Sequence, residues 1–286
     1  MNPEVLYVMD PGHGCHLQDR GRLGLKRFGV PSGGPMDPHA AEWANQLLGN
    51  PTDAPILELA LQGAKLAALQ AVWVAVTGAD ATANLPLWRV LRLDADDVMT
   101  FSKNVSGVWT YVAVEGGFVD TPVLGSVSTS PRIRLGRSFN RGSMLRRNSQ
   151  HSFSMPQGVA GRMAPIAEQR NYAQPPSIRI WPGPQWDRFS ATAKEAFLHH
   201  GWTLSPRSDR TGYRLEGKPI APMLGQLISE PVMVGSIQIP PDGLPIVTLN
   251  DGPTVGGYPK IGLVDPADLP WLTQARPGQR LRFHLA

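Results

Sequence analysis

The sequence holds one cysteine, Cys15, in 286 residues. No intrachain disulfide can form, which excludes the disulfide-stapled scaffolds and suits a reducing compartment. Long apolar runs are also missing: nowhere do 18 apolar residues follow one another, so no membrane-spanning helix is expected. The opening Met1-Asn2-Pro3-Glu4 has no basic stretch leading into an apolar one, so no secretory signal is expected and the cytoplasm is the expected location. Charge of one sign is not clustered. There are 27 basic and 23 acidic residues, and no basic run exceeds the Arg146-Arg147 pair. Nucleic-acid binding calls for a basic stripe with interleaved aromatics, and none is expected here. The chain has no G-x-x-x-x-G-K-[ST] phosphate loop, no G-x-S-x-G elbow and no H-E-x-x-H. His13-Gly14-Cys15-His16 matches no common zinc spacing, so no metal site is expected.

What is abundant is turn-forming residues. Thirty glycines and 28 prolines accompany a hydrophobic fraction of 42%, enough for a real core. Such punctuation suits many short strands better than long helices. Turn-bounded apolar segments predict strands at 4–9, 56–61, 71–77, 88–93, 109–114, 178–181, 236–239, 246–249 and 280–285. One helix is clearly marked. Asp37 is a good N-cap, Pro38 suits the first helical position, and Gly49-Asn50-Pro51 stops it. A second helix is expected over 185–200. Residues 156–177, rich in Pro, Gly, Gln and Ala, read as a linker.

The two halves share signals in the same order. Asp19-Arg20-Gly21-Arg22 resembles Asp209-Arg210-Thr211-Gly212. Glu58 lies five residues before Gly63, and Glu230 five before Gly235. Eleven residues further on, Val74 and Ile246 each begin an apolar strand. Ordered matches of this kind predict a duplication. The expected division is a first domain at 1–170, carrying an insertion and linker, and a second at 171–286.

Three loops carry the candidate chemistry. In Gly29–Asp37, Gly33 and Gly34 let backbone N–H groups approach a ligand, and Ser32 adds a hydroxyl. A tight loop leading into the helix is the equal alternative. In 208–213, the Arg210 guanidinium could hold a carboxylate or phosphate, and Asp209 could orient it or accept a proton. A turn with a surface ion pair is the rival reading. In 251–260, Asp251, Tyr258 and Lys260 flank Gly256-Gly257. Lys260 could neutralise charge developing on a carbonyl or phosphoryl oxygen while Tyr258 donates a hydrogen bond, and a purely structural Gly-Gly-Tyr-Pro turn is the alternative.

Together these blocks carry a resemblance. Gly29-Val30-Pro31-Ser32-Gly33-Gly34-Pro35-Met36-Asp37, Leu57-Glu58, Thr77-Gly78-Ala79-Asp80 and Glu115-Gly116-Gly117 are similar to the first half of a known family. Ser208-Asp209-Arg210-Thr211-Gly212-Tyr213 and Gly256-Gly257-Tyr258-Pro259-Lys260 are similar to its second half. The family is that of the biotin-dependent carboxyltransferases and the 5-oxoprolinase C subunits, also called allophanate hydrolase subunit 2 or KipA. The resemblance implies a mainly β protein of two related cyclophilin-like β-barrel domains with a few short helices. It implies a partner, the KipI-like B subunit, with a further A subunit. Together these would cleave 5-oxo-L-proline to L-glutamate with ATP, the chain being inactive alone. It also implies two alternatives: carboxyl transfer from carboxybiotin to urea or a related amide, and a regulator binding a KipI-like kinase inhibitor. Asp209, Arg210, Tyr258 and Lys260 are the expected catalytic residues. Ser32, Gly33, Gly34, Asp37, Glu58, Asp251, Gly256 and Gly257 are the expected substrate-binding residues. The chemistry is expected where the second half's loops face Gly29–Asp37. Where the family typically reads Asp-Arg-Gln-Thr-Thr, this chain has Asp251-Gly252-Pro253-Thr254-Val255.

Overall fold

The computed structural model describes residues 2–81, 83–149, 160–221 and 227–286. The chain divides into two units. One comprises Met1–Arg22 with Gly33–Ala173, the other Leu23–Ser32 with Gln174–Ala286. The segment Leu23–Ser32 therefore packs with the second unit although it belongs to the first half of the sequence.

The first unit holds two five-stranded sheets. One runs Val98–Thr100, Ala64–Ala68, Glu4–Pro11, Met144–Arg147, Phe118–Val119. The other runs Cys15–Gln18, Ile56–Ala60, Ser106–Val114, Val72–Asp80, Arg89–Leu93. Their strands are rich in Val, Leu and Tyr, which fit a pleated, half-buried surface. One apolar cluster joins Val5, Leu66 and Met99 from the first sheet to Leu57, Val74 and Val112 from the second. Each of these side chains, taken from water, stabilises the unit by about 1.5–3 kcal/mol before entropy is counted.

Helix α1, Pro38–Leu47, lies in this unit and begins as its sequence dictates. The Asp37 carboxylate accepts from Ala40 N–H, and Pro38 opens the first turn where a missing N–H costs nothing. Ala40, Ala41, Ala44 and Leu47 form its buried face. Beyond its end, Asn50 donates to both Asn45 and the Val114 carbonyl.

Of the expected linker, residues 156–159 lie outside the described residues. The described part, from 160, is tied to the first unit up to Ala173. Ala164 N–H donates to the Trp88 carbonyl, and the Tyr172 hydroxyl donates to Asp37.

The second unit is built on an eight-stranded sheet. Its order is Arg280–Leu281, Trp202–Leu204, Gly212–Glu216, Ile246–Thr248, Ser236–Gln238, Lys260–Val264, Ile178–Pro182, Phe283–Leu285. The two outermost strands are separated in sequence by Arg282 alone, so the sheet curls until its ends nearly meet, and few edge groups stay open. Helix α2, Ala191–His199, is capped by the Ser190 hydroxyl on Ala193 N–H, and α3 spans Leu269–Thr273. The expected helix over 185–200 is thus shorter. Residues 186–188 form a separate 3-10 turn, because Phe189 and Ser190 are extended and break the hydrogen-bond ladder. A two-stranded ribbon pairs Glu230–Pro231 with Val255–Gly256.

The architecture is mainly β with a few short helices, as expected. The paired Asp-Arg signals share a local form. Asp19 accepts from Gly21 N–H at 2.9 Å and Asp209 from Thr211 N–H at 2.8 Å, the same side-chain turn in each unit. The strands that follow take different neighbours: Val72–Asp80 pairs with 89–93 and 106–114, Ile246–Thr248 with 212–216 and 236–238.

Candidate functional site

Within the second unit, two buried cations stand at the ends of glycine-rich loops. Arg210 donates from Nε to Asp251 at 2.8 Å and from Nη2 to its other oxygen at 3.1 Å, a bidentate fork. The Asp251 N–H returns to the Arg210 carbonyl, so backbone and side chains lock together. Lys260, 3% exposed, donates from Nζ to Glu230 at 2.7 Å. Gln185 closes this second group. Its Nε2 donates to Glu230 at 2.8 Å, and its Oε1 accepts from Lys260 N–H at 2.8 Å. The hydrogen bond from Lys260, followed by that from Gln185, holds the Glu230 carboxyl below the usual glutamate range. A side chain at Gly183 would collide with the Lys260 carbonyl, so only glycine lets the 183–185 turn come this close.

The loops around these pairs are shaped by glycine. A Cβ at Gly256 would lie 2.9 Å from Gln238 Oε1 and 3.0 Å from Val232. One at Gly252 would lie 2.5 Å from the Thr248 methyl and 2.6 Å from the Thr211 carbonyl oxygen. The chain has closed over position 252, which explains physically why no long side chain stands there. Gly257 is open by comparison, with Ser229 Oγ at 3.5 Å. Ser32 reaches the same loop, its hydroxyl donating to the Asn250 carbonyl at 3.4 Å.

The remaining expected residues sit elsewhere or do other work. Asp209 makes its exposed turn, accepting from Thr211 and Gly212, with its carboxylate spent on local backbone. Tyr258 is 45% exposed on the Gly257–Pro259 turn. Asp37 and Glu58 lie in the first unit, both buried. Glu58 accepts from Met36 N–H and from the Tyr111 hydroxyl, each at 2.8 Å. Tyr111 in turn accepts from Asp37 N–H, and Asp37 accepts from Tyr172 at 2.6 Å. Burial first, and then the charges of Glu58 and Asp37, push the Tyr111 phenol well above its usual range. This chain of hydrogen bonds fixes the 35–38 turn to the sheet. Gly33 and Gly34 have φ of +64° and +89°, a conformation that side chains resist, and they pass close to Ser128 and the Asp19 carbonyl.

The structure thus brings Arg210 to Asp251, and Ser32 to the backbone beside Asp251. It adds Glu230 and Gln185 to Lys260. Sequence reasoning found Glu230 only as a repeat counterpart of Glu58, and it missed Gln185. Neither has a local signal, because each meets Lys260 across a long stretch of chain. Among the described residues, no group of three or more His, Cys, Asp or Glu side chains could hold a metal ion, and no helix is long and apolar enough to cross a membrane.

Comparison with known proteins places the chain in a family. The model of the carboxyltransferase domain, subdomain A and B, matches residues 28–285. Two relatives, each named as the C subunit of 5-oxoprolinase, come from Haemophilus influenzae and Escherichia coli. They are 32% and 33% identical, each over 98% of this chain and 90% of its own length. The urea amidolyase of Saccharomyces cerevisiae is 28% identical over 98% of this chain, which spans 16% of that protein. Among solved structures, TTHA0988 superposes with a TM-score of 0.87 at 34% identity, over 98% of this chain and 55% of its own. The Kluyveromyces lactis urea carboxylase superposes with a TM-score of 0.86 at 27% identity, over 99% of this chain and 27% of its own. The chain therefore spans about half or less of these structures but nearly the whole of the two 5-oxoprolinase relatives. On the extent of that match, the chain belongs to the carboxyltransferase-domain family, with subdomains A and B together.

Proposed function

We propose that the chain is the C subunit of a 5-oxoprolinase, acting with the B and A subunits in the ATP-dependent cleavage of 5-oxo-L-proline to L-glutamate. One observation carries the reading: the match to proteins of that name runs through 98% of this chain and 90% of theirs. The geometry supplies the means. Hydrolysis of a lactam needs its carbonyl carbon made electrophilic, so negative charge grows on the carbonyl oxygen. A buried ammonium held by Glu230, which Gln185 in turn holds, is a fixed positive charge in a low-dielectric place, where it acts strongly and needs no reorganisation. Arg210, fixed by Asp251, gives a second oriented cation. ATP is a co-substrate of the assembled enzyme in this reading.

A need for partners agrees with the surface. Ile228 is 92% exposed, and Met233 and Val255, on the flanks and edge of the Glu230–Pro231 ribbon, are more than half exposed. Large apolar side chains grouped beside a site suit a face that another protein of the complex covers.

Carboxyl transfer from biotin to an amide remains a second reading, supported by the urea amidolyase and urea carboxylase similarities. It shares the same polarised carbonyl. The lower identity and the small share of those proteins that this chain spans favour the first. The test is reconstitution. Purified chain, mixed with its B and A partners and ATP, forms glutamate from 5-oxoproline, while the chain alone forms none. A complete mixture that forms no glutamate but transfers the carboxyl group of a carboxybiotinylated protein to urea would replace the first reading by the second.

A further inference from the structure

Lys26 belongs to the Leu23–Ser32 segment, which packs with the second unit. Its side chain is half-buried, and Nζ donates to the Val232 carbonyl at 3.4 Å. No carboxylate lies within ion-pair distance of it among the described residues. The unit's two buried cations differ in this respect. Arg210 already holds Asp251, and Lys260 already holds Glu230. Burial lowers the Lys26 ammonium pKa below its ordinary value, so that charge sits partly desolvated with one weak neutral acceptor. An ammonium has three donors, and one is engaged among the described residues.

The position is specific. Val232 N–H is bonded to the Thr254 carbonyl, just beyond the paired Glu230–Pro231 and Val255–Gly256. The acceptor of Lys26 and the acceptor of Lys260 are thus two residues apart, about 7 Å along an extended chain. Of the two glycines that follow Val255, Gly257 is the open one, whereas Gly256 is packed against Gln238 and Val232. At the other end of the same segment, Ser32 touches the Asn250 carbonyl next to Asp251. One ribbon is therefore flanked by an ammonium paired with a carboxylate and by an ammonium that has no carboxylate partner among the described residues.

We infer that Lys26 is the carboxylate-binding residue of this site, taking the acid group of a small cyclic amide whose carbonyl is directed to Lys260. This rests on the 5-oxoprolinase reading for the identity of the acid, but the chemistry asked of Lys26 is recognition of a carboxylate. A neutral lactam of the same ring, 2-pyrrolidinone, lacks the group that Lys26 would hold.

The test is amine labelling of the assembled complex with acetic anhydride, with acetylation at Lys26 and at exposed Lys218 followed by mass spectrometry. 5-Oxoproline at ten times its dissociation constant slows labelling of Lys26 about tenfold. 2-Pyrrolidinone at the same concentration leaves Lys26 labelling unchanged, and neither compound protects Lys218. In turnover, Lys26→Gln raises KM for 5-oxoproline with kcat little changed, and Lys26→Arg restores part of the loss. Equal protection by 2-pyrrolidinone, or unslowed labelling while the complex consumes 5-oxoproline, overturns the inference and leaves the proposed activity standing. Protection by 5-oxoproline in a complete mixture that cannot hydrolyse it leaves Lys26 as a carboxylate site and overturns the activity. Neither protection nor hydrolysis overturns both.

Discussion

Lys260 and Glu230 meet at 2.7 Å, with the lysine side chain 4% exposed and the glutamate side chain 38% exposed. The acid therefore stands between a buried cation and water. Removing either partner has different consequences. Lys260→Ala deletes the charge that would stabilise a developing oxyanion, and kcat of the assembled enzyme falls about 100- to 1000-fold. Glu230→Gln keeps the shape but loosens the hold on Lys260, and the loss is smaller. Equal losses in the two variants would mean that the pair serves the fold alone, and the melting temperature of each variant checks this.

The same pair sets a pH dependence. The Glu230 carboxyl titrates below its unfolded value of about 4.3 because Lys260 and then Gln185 stabilise the carboxylate. A depressed acid contributes stability that is fully present above the unfolded value and is lost as pH falls through the folded one. The contribution is modest, since the carboxylate is more than a third exposed and solvent screens it. Denaturant unfolding of wild type and Glu230→Gln is expected to differ by a constant amount near neutral pH. The two curves converge in acid below the glutamate range.

How far these features could be read from the sequence depended on how local they are. The α1 start was legible because Asp37 and Pro38 fix it within one turn. The Gly-rich loops marked Arg210, Asp251 and Lys260, because glycine and charge side by side are a local pattern. The partners of Lys260 were not legible, since strand pairing decides who meets it. Ala64–Ala68 was missed as a strand because three of its five residues are alanine, a weak strand former. Lys260–Val264 was missed because Pro259 and the glycines before it read as a loop. The placement of Leu23–Ser32 with the second unit has no signal in composition at all.

Gly252 gives a stability prediction. Gly252→Ala sets a methyl against Thr248 and the Thr211 carbonyl, where no space exists. Such crowding costs about 1–3 kcal/mol. A fall in the denaturant midpoint with an unchanged slope is expected. An unchanged midpoint would show that the 250–253 loop can move aside.

Asp37→Ala tests the hydrogen-bond chain of the first unit. It removes the cap of α1 and the hydrogen bond that the Asp37 carboxylate accepts from the buried Tyr172 hydroxyl. Loss of a cap alone costs about 1 kcal/mol, and loss of the hydrogen bond to the carboxylate adds about 1.5–3 kcal/mol. Asp37→Asn keeps the cap and is expected to cost less, as thermal unfolding of the two variants can show.

Cys15 is expected to be inert. Burial pushes its thiol up to about 12, so little thiolate exists at neutral pH. Native protein should react with a thiol reagent only after denaturant is added. Rapid labelling of the folded chain would contradict its burial in the core.

The central claim is that this chain supplies a lactam-activating site to a larger enzyme. The most direct measurement is 5-oxoproline-dependent release of ADP by the three purified proteins, with wild-type chain and with Lys260→Ala. The account predicts ADP release that requires all three proteins and 5-oxoproline together and that falls at least about 100-fold in the variant. ADP release unaffected by 5-oxoproline, or equal in wild type and Lys260→Ala, would contradict it.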